Sequence, residues 1–138
     1  MAKVQLLAVL SMDGCLSELQ QRKRLFWRAE DYGLEDIRGN ALYKLTPDYG
    51  ISILQNWREK RGNTCYLLEV TAKTTDYANG LLRMNVIDEI IIYIVPAIIG
   101  TGKHLFQSAL MKTNWQLIDC KKYDDGVIRL SYQRKARP

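Results

Sequence analysis

The chain is short of the residues that ordinarily announce chemistry. His104 is its only histidine, and no partner for a proton relay lies beside it in sequence. The cysteines, Cys15, Cys65 and Cys120, are odd in number and widely spaced. That spacing excludes a zinc motif and a closed disulfide framework, and fits reduced thiols in a cytosol. Ser11 has no Ser-His-Asp context, so a nucleophile role is not indicated. Long hydrophobic runs are missing too. The longest, residues 90–99, follows Asp88-Glu89 and contains Pro96; a membrane span needs about 20 apolar residues. The first residues carry one lysine and then an apolar run of period-two character, which reads as a strand rather than a signal peptide. There is no internal repeat, low-complexity tract or linker. A length of 138 residues then implies one domain around one core.

What is present is an ordinary globular composition, 47% hydrophobic and 25% charged, with a net charge of +5. Much of the excess sits in Arg22-Lys23-Arg24 and in the tail Arg134-Lys135-Ala136-Arg137. Acidic residues interrupt the basic ones, and aromatic residues are not interleaved with them. Both facts argue against nucleic-acid binding, while an anionic small molecule suits the sign of the charge.

Residues 4–11 read as a buried strand ending at the turn Ser11-Met12-Asp13-Gly14. Residues 15–28 read as an irregular excursion. Residues 30–42 read as a helix, with Leu34, Ile37 and Ala41 at helical spacing. Thr46-Pro47-Asp48 is a helix start, a capping hydroxyl followed by proline at the first helical position, and the helix would run to about Lys60. Residues 64–70 read as a strand, residues 75–85 as a helix capped by Thr74 or Thr75, and residues 88–95 as a strand apolar on both faces. The last three make a βαβ unit with parallel strands. Residues 115–122 and 127–134 read as an antiparallel hairpin joined at Asp125-Gly126. A strand apolar on both faces belongs to a sheet covered on both sides. In such sheets ligands sit outside the carboxyl ends of the strands.

Four loops are expected at that rim: residues 11–14, 43–47, 70–75 and 96–103. Each can offer backbone N–H donors or a helix N-terminus to an anion. Lys44 before Thr46, Lys73 before Thr74 and Thr75, and Lys103 after Gly102 add cations. The same residues also serve a protein with no ligand, because helices need caps and loops often end in lysine. Asp13 is open to two readings, binding a ring nitrogen or capping its own turn. Gly100-Thr101-Gly102 allows a tight turn and a close backbone approach, yet it lacks the third glycine and the position of a dinucleotide fingerprint.

Two blocks carry a family resemblance. Val9-Leu10-Ser11-Met12-Asp13-Gly14 resembles the first strand and turn of the C-terminal reductase domain of the bifunctional riboflavin-biosynthesis deaminase–reductase. That domain shares its fold with dihydrofolate reductase. Leu81-Leu82-Arg83-Met84-Asn85-Val86-Ile87-Asp88-Glu89-Ile90, continued by Val95-Pro96-Ala97-Ile98-Ile99-Gly100-Thr101-Gly102-Lys103-His104-Leu105-Phe106, is similar to the family's second hallmark. The resemblance implies a dihydrofolate-reductase-like three-layer α/β fold: a mainly parallel central sheet, flanking helices and a C-terminal antiparallel hairpin. It implies an NADPH-dependent reductase of a pyrimidine- or pteridine-like compound, cytoplasmic and homodimeric, with no metal. Carried over by position, Ser11, Asp13 and Gly14 would border the substrate. Lys44, Thr46, Lys73, Thr74, Thr75, Gly100, Thr101 and Gly102 would border the cofactor. Two departures stand out. Val70-Thr71-Ala72-Lys73 replaces the family's glycine-rich phosphate turn, and Tyr43-Lys44-Leu45-Thr46 only echoes its glycine-arginine-x-threonine element. The alternative they leave open is a non-catalytic relative that binds an anionic nucleotide-like molecule or a protein partner.

Overall fold

The computed structural model describes residues 3–17, 32–50, 64–107 and 110–135. Six strands make one sheet: β1 (Lys3–Leu10), β2 (Tyr43–Lys44), β3 (Cys65–Glu69), β4 (Glu89–Ile94), β5 (Trp115–Lys122) and β6 (Ile128–Arg134). The described helices are α1 (Leu34–Asn40) and α2 (Thr75–Arg83). The sheet order is β2-β3-β1-β4-β6-β5. The first four strands in that order run parallel, and β6 is antiparallel to both β4 and β5. β3 and β4 are parallel, as a βαβ unit requires, but β1 lies between them, so α2 carries the chain across the central strand.

The strand pattern explains the layers. Along β1, Val4, Leu6, Ala8 and Leu10 face one core, while Leu7 faces the other. β4 alternates likewise, with Ile90 on the first side and Ile91 and Tyr93 on the second. Ala78 and Leu81 of α2 join the first core, and Leu34 of α1 joins the second. Period-two side-chain alternation in a strand covered on both faces thus produces the near-continuous apolar runs seen in the sequence. The amino ends of the parallel strands are tied by polar contacts. Asp88 accepts the Val4 N–H at 2.9 Å, and Glu89 meets both Lys3 and Gln5. The Arg134 guanidinium donates to the carbonyls of Asn85 and Ile87 and lies over the Trp115 ring.

Several boundaries differ from the sequence reading. The helix expected over residues 30–42 is confined to Leu34–Asn40, because Tyr32 and Gly33 both adopt positive φ and break the chain direction before it. Tyr43–Lys44, read as loop, is a short strand pairing with Tyr66 and Leu67. The ring of Tyr43 stacks on that of Tyr66 at 5.5 Å. The helix expected to start at Thr46 begins as a turn, in which the Asp48 N–H donates to the Thr46 hydroxyl at 3.3 Å; residues 51–60 lie outside the described residues. So do residues 18–28 of the expected excursion, including Arg22-Lys23-Arg24, and the tail from residue 136. The hairpin stands as read, with Gly126 at φ +95° in its turn.

The centre of the sheet should dominate stability. Leu6→Ala, on a fully buried side chain of β1, is expected to cost about 2–5 kcal/mol by urea unfolding. Leu117→Ala, on exposed β5, should cost less than about 0.5 kcal/mol.

Candidate functional site

All four parallel strands release their loops at one rim. The first loop is closed on itself. Buried Ser11 donates its N–H to the Cys15 carbonyl at 2.8 Å, and its hydroxyl accepts the Cys15 N–H at 3.1 Å. Gly14, at φ +84°, returns its N–H to the Ser11 carbonyl at 3.0 Å. This turn aims the Asp13 carboxylate across the rim at the loop leaving β4. There Asp13 accepts the N–H of Ile99 at 3.2 Å and of Gly100 at 2.9 Å, and it also takes the Ser11 hydroxyl. Gly100 at φ +84° and Gly102 at φ +119° occupy the left-handed region, which glycine enters without steric cost.

The two loops are laced on either side of that grip. Met12 N–H donates to the Ala97 carbonyl at 2.7 Å and Leu16 N–H to the Lys103 carbonyl at 2.8 Å. His104 Nδ1 lies 3.2 Å from the Gly14 carbonyl. The Ser11 hydroxyl, then the Gly100 amide and the Ile99 amide, hold the Asp13 carboxyl well below the usual carboxylate range. Asp13 is therefore ionised throughout the physiological range and engaged with the Ser11 hydroxyl and the amides of the β4 loop, so its carboxylate bridges two loops instead of capping its own turn.

A third loop is drawn in through Lys103, whose ammonium donates to the Ala72 carbonyl at 3.1 Å. That loop, residues 70–75, is self-satisfied. Thr71 N–H donates to the Thr74 hydroxyl at 2.8 Å, Lys73 N–H to the Thr71 hydroxyl at 3.2 Å, and the Thr75 hydroxyl to the Thr71 carbonyl at 2.8 Å. Thr74 occupies the cap position of α2 without a side-chain capping bond; its hydroxyl serves Thr71 and the Glu69 carbonyl instead. Thr75 lies inside the helix and is fully buried.

Ser11, Asp13, Gly14, Gly100, Thr101 and Gly102 are thus gathered in one pair of loops, and Lys103 links them to the Lys73–Thr75 turn. Lys44 and Thr46 lie at the far edge of the rim, with β3 between them and β1. Their contacts are local. Lys44 is 3.8 Å from Glu69, which is gripped more closely by Arg38, and Thr46 engages Asp48.

Sequence reasoning missed Asn79. This fully buried amide donates to the Thr75 and Leu105 carbonyls at 2.9 and 2.8 Å and accepts the Gln107 N–H at 3.1 Å. It fastens the segment after the glycine loop to α2. The one available signal was its place inside a helix, where asparagine competes with the backbone and needs a reason. An open groove of about 490 Å³ lies beside this fastening, lined by Asp76, Arg83, Lys103, His104, Phe106 and Gln107. Among the described residues no group of three or more His, Cys, Asp or Glu is placed to hold a metal ion. No described helix is long and apolar enough to cross a membrane.

Residues 74–129, spanning α2, β4, the glycine loop, β5 and the hairpin turn, match the RibD C-terminal domain family. The chain resembles the RibD C-terminal reductase-like domain in sequence pattern and in fold. No curated protein matches it. Among solved structures, a Shewanella sp. PV-4 protein assigned to riboflavin biosynthesis is 14% identical with a TM-score of 0.73, covering 97% of this chain and 99% of that one. RibD of Acinetobacter baumannii is 14% identical with a TM-score of 0.59; 99% of this chain corresponds to 59% of that protein. Dihydrofolate reductase from Enterococcus faecalis, complexed with NADP(H), is 9% identical with a TM-score of 0.63 and 97% coverage of both chains. At such identities the likeness to the structures is one of fold, and the fold is dihydrofolate-reductase-like. The RibD-like second hallmark, residues 81–90 and 95–106, runs from the end of α2 into β4 and then through the loop that Asp13 grips.

The grip has a pH signature. A carboxyl depressed in the folded state contributes stability that is present above its unfolded pKa and is lost as pH falls toward the folded one. Wild-type protein should therefore lose stability below about pH 4 more steeply than Asp13→Asn. Urea midpoints measured between about pH 2 and pH 6 check this.

Proposed function

We propose that this chain is a reductase-type domain of the riboflavin-pathway class. In this reading it takes NADPH along the rim of its sheet and reduces a pyrimidine- or pteridine-like small molecule, as a cytoplasmic homodimer. One observation carries the reading: the loops leaving β1 and β4 are locked together by Asp13 at the carboxyl ends of parallel strands, the place where such sheets bind ligands. The RibD C-terminal match over α2, β4 and the glycine loop supports the reaction class. NADPH, when bound, supplies the hydride, so the protein's share is binding and orientation.

The fit to NADPH is made by charge and not by the turn after β3. A pyrophosphate held there in the family's manner needs free backbone donors and no side chains in the way. Here the amides of Thr71 and Lys73 are already engaged by threonine hydroxyls, and Asp76 adds a negative charge in the first turn of α2. The cofactor's phosphates would rest on the lysines of the rim, Lys73 and Lys103, with Lys44 at its edge. Ser11, Asp13 and Gly14 would shape the substrate side by holding the backbone of the β4 loop in place. Exposed Thr101, between two left-handed glycines, would line the mouth.

The same turn favours a second reading, a non-catalytic relative that holds another anionic nucleotide-like molecule in the cleft. Titrating tryptophan fluorescence with NADPH separates the two. The first reading predicts saturation in the micromolar range and tighter binding by Thr71→Gly, which removes an obstructing side chain and frees the Lys73 amide. No response at millimolar NADPH by either protein, with a response to other phosphorylated nucleotides, would leave only the second.

A further inference from the structure

Phe106 keeps 46% of its surface open, yet its backbone is held on both sides by one buried side chain. Asn79, fully buried, donates to the Leu105 carbonyl at 2.8 Å and accepts the Gln107 N–H at 3.1 Å. Leu105 itself is buried in the first core. Ordering backbone costs entropy, and burying an amide costs desolvation unless it is bonded. Both costs fall here on the residues flanking an aromatic ring that faces water. A large apolar side chain carried on a rigid support is a preorganised contact.

The ring stands between two cavities. The groove of about 490 Å³ runs along α2, where Asp76 and Arg83 share one face about two turns apart. A smaller apolar pocket of about 80 Å³ adjoins it. Phe106 and Arg83 line both cavities. Leu82, Ile90, Met111 and Trp115 continue the pocket, while Lys103 and His104 continue the groove. Arg83 and Lys103 outweigh the acid of the lining, Asp76, which already accepts the Gln107 side-chain amide at 2.7 Å.

An apolar ring beside a guanidinium selects a ligand by two properties. The ring favours a flat apolar partner. The guanidinium is a planar fork matched to carboxylate or phosphate oxygens. The volume of the groove is that of a small-molecule site. We propose that this groove binds a planar aromatic anion, its ring against Phe106 and its anionic group at Arg83. The site needs no NADPH and stands apart from the reductase reading.

Amide resonances of the isotope-labelled full chain, titrated with naphthoate, test it. The neutral isostere naphthalenemethanol is the comparison ligand. Naphthoate should produce saturable shifts centred on Arg83, Phe106 and Gln107, with a dissociation constant below ~1 mM, and naphthalenemethanol should bind at least ~5-fold more weakly. Arg83→Gln should remove the preference for the anion, and Phe106→Ala should weaken both ligands at least ~5-fold. Resonances away from the groove verify that each variant is folded, and the comparison of the two ligands on the wild type needs no variant. No saturable shift up to ~5 mM naphthoate, equal affinity for the two ligands, shifts centred elsewhere, or a preference that survives Arg83→Gln would overturn the proposal.

Discussion

One carboxylate organises the rim of this molecule. Asp13 stands at the exit of β1, and its partners are the amides of Ile99 and Gly100 at the exit of β4. Two N–H donors converging on an anion form a small electropositive nest, and the protein fills it with its own side chain. The main-chain bonds around it, Met12 to Ala97 and Leu16 to Lys103, would close the loops without bringing Gly100 to this particular carboxylate. The left-handed turns at Gly100 and Gly102 let the amides face Asp13 while Thr101 remains at the surface.

The rest of the architecture serves that junction. Burial on both faces makes β1 and β4 rigid neighbours, so their exits hold a constant separation. Asn79 fixes the downstream end of the β4 loop to α2, and Lys103 ties it to the β3 loop. The rim is firm from three sides. The third side departs from the pattern of the domain that the chain resembles. Where close backbone approach would need glycine, threonines at 71, 74 and 75 bond to their own loop. The turn satisfies its own donors without a ligand.

Legibility in the sequence followed the reach of the signal. β4 could be read because burial on both faces leaves an unbroken apolar run, and the β5–β6 hairpin because Asp125-Gly126 punctuates it. Three of the four loops could be assigned to one rim from strand direction, those after residues 4–11, 64–70 and 88–95. α1 was read too long because Tyr32, a residue that rarely adopts positive φ, turns the chain before Leu34. β2 was missed because two residues carry no periodicity; parallel pairing to β3 and the Tyr43–Tyr66 stack define it. The site divides in the same way. Asp13 and the glycine loop stood out as local turn chemistry, but their union spans 86 positions of sequence. Asn79 showed only as an oddity inside a helix, since its worth comes from Leu105 and Gln107 in a distant loop.

Amide hydrogen exchange at Ile99 and Gly100 addresses the central claim most directly. If the Asp13 carboxylate holds the β4 loop, both amides are protected in the wild type. In Asp13→Ala they should exchange at least ~10-fold faster, while amides in the middle of β1 and β4 are unchanged. Equal protection of the two amides in both proteins would contradict the account.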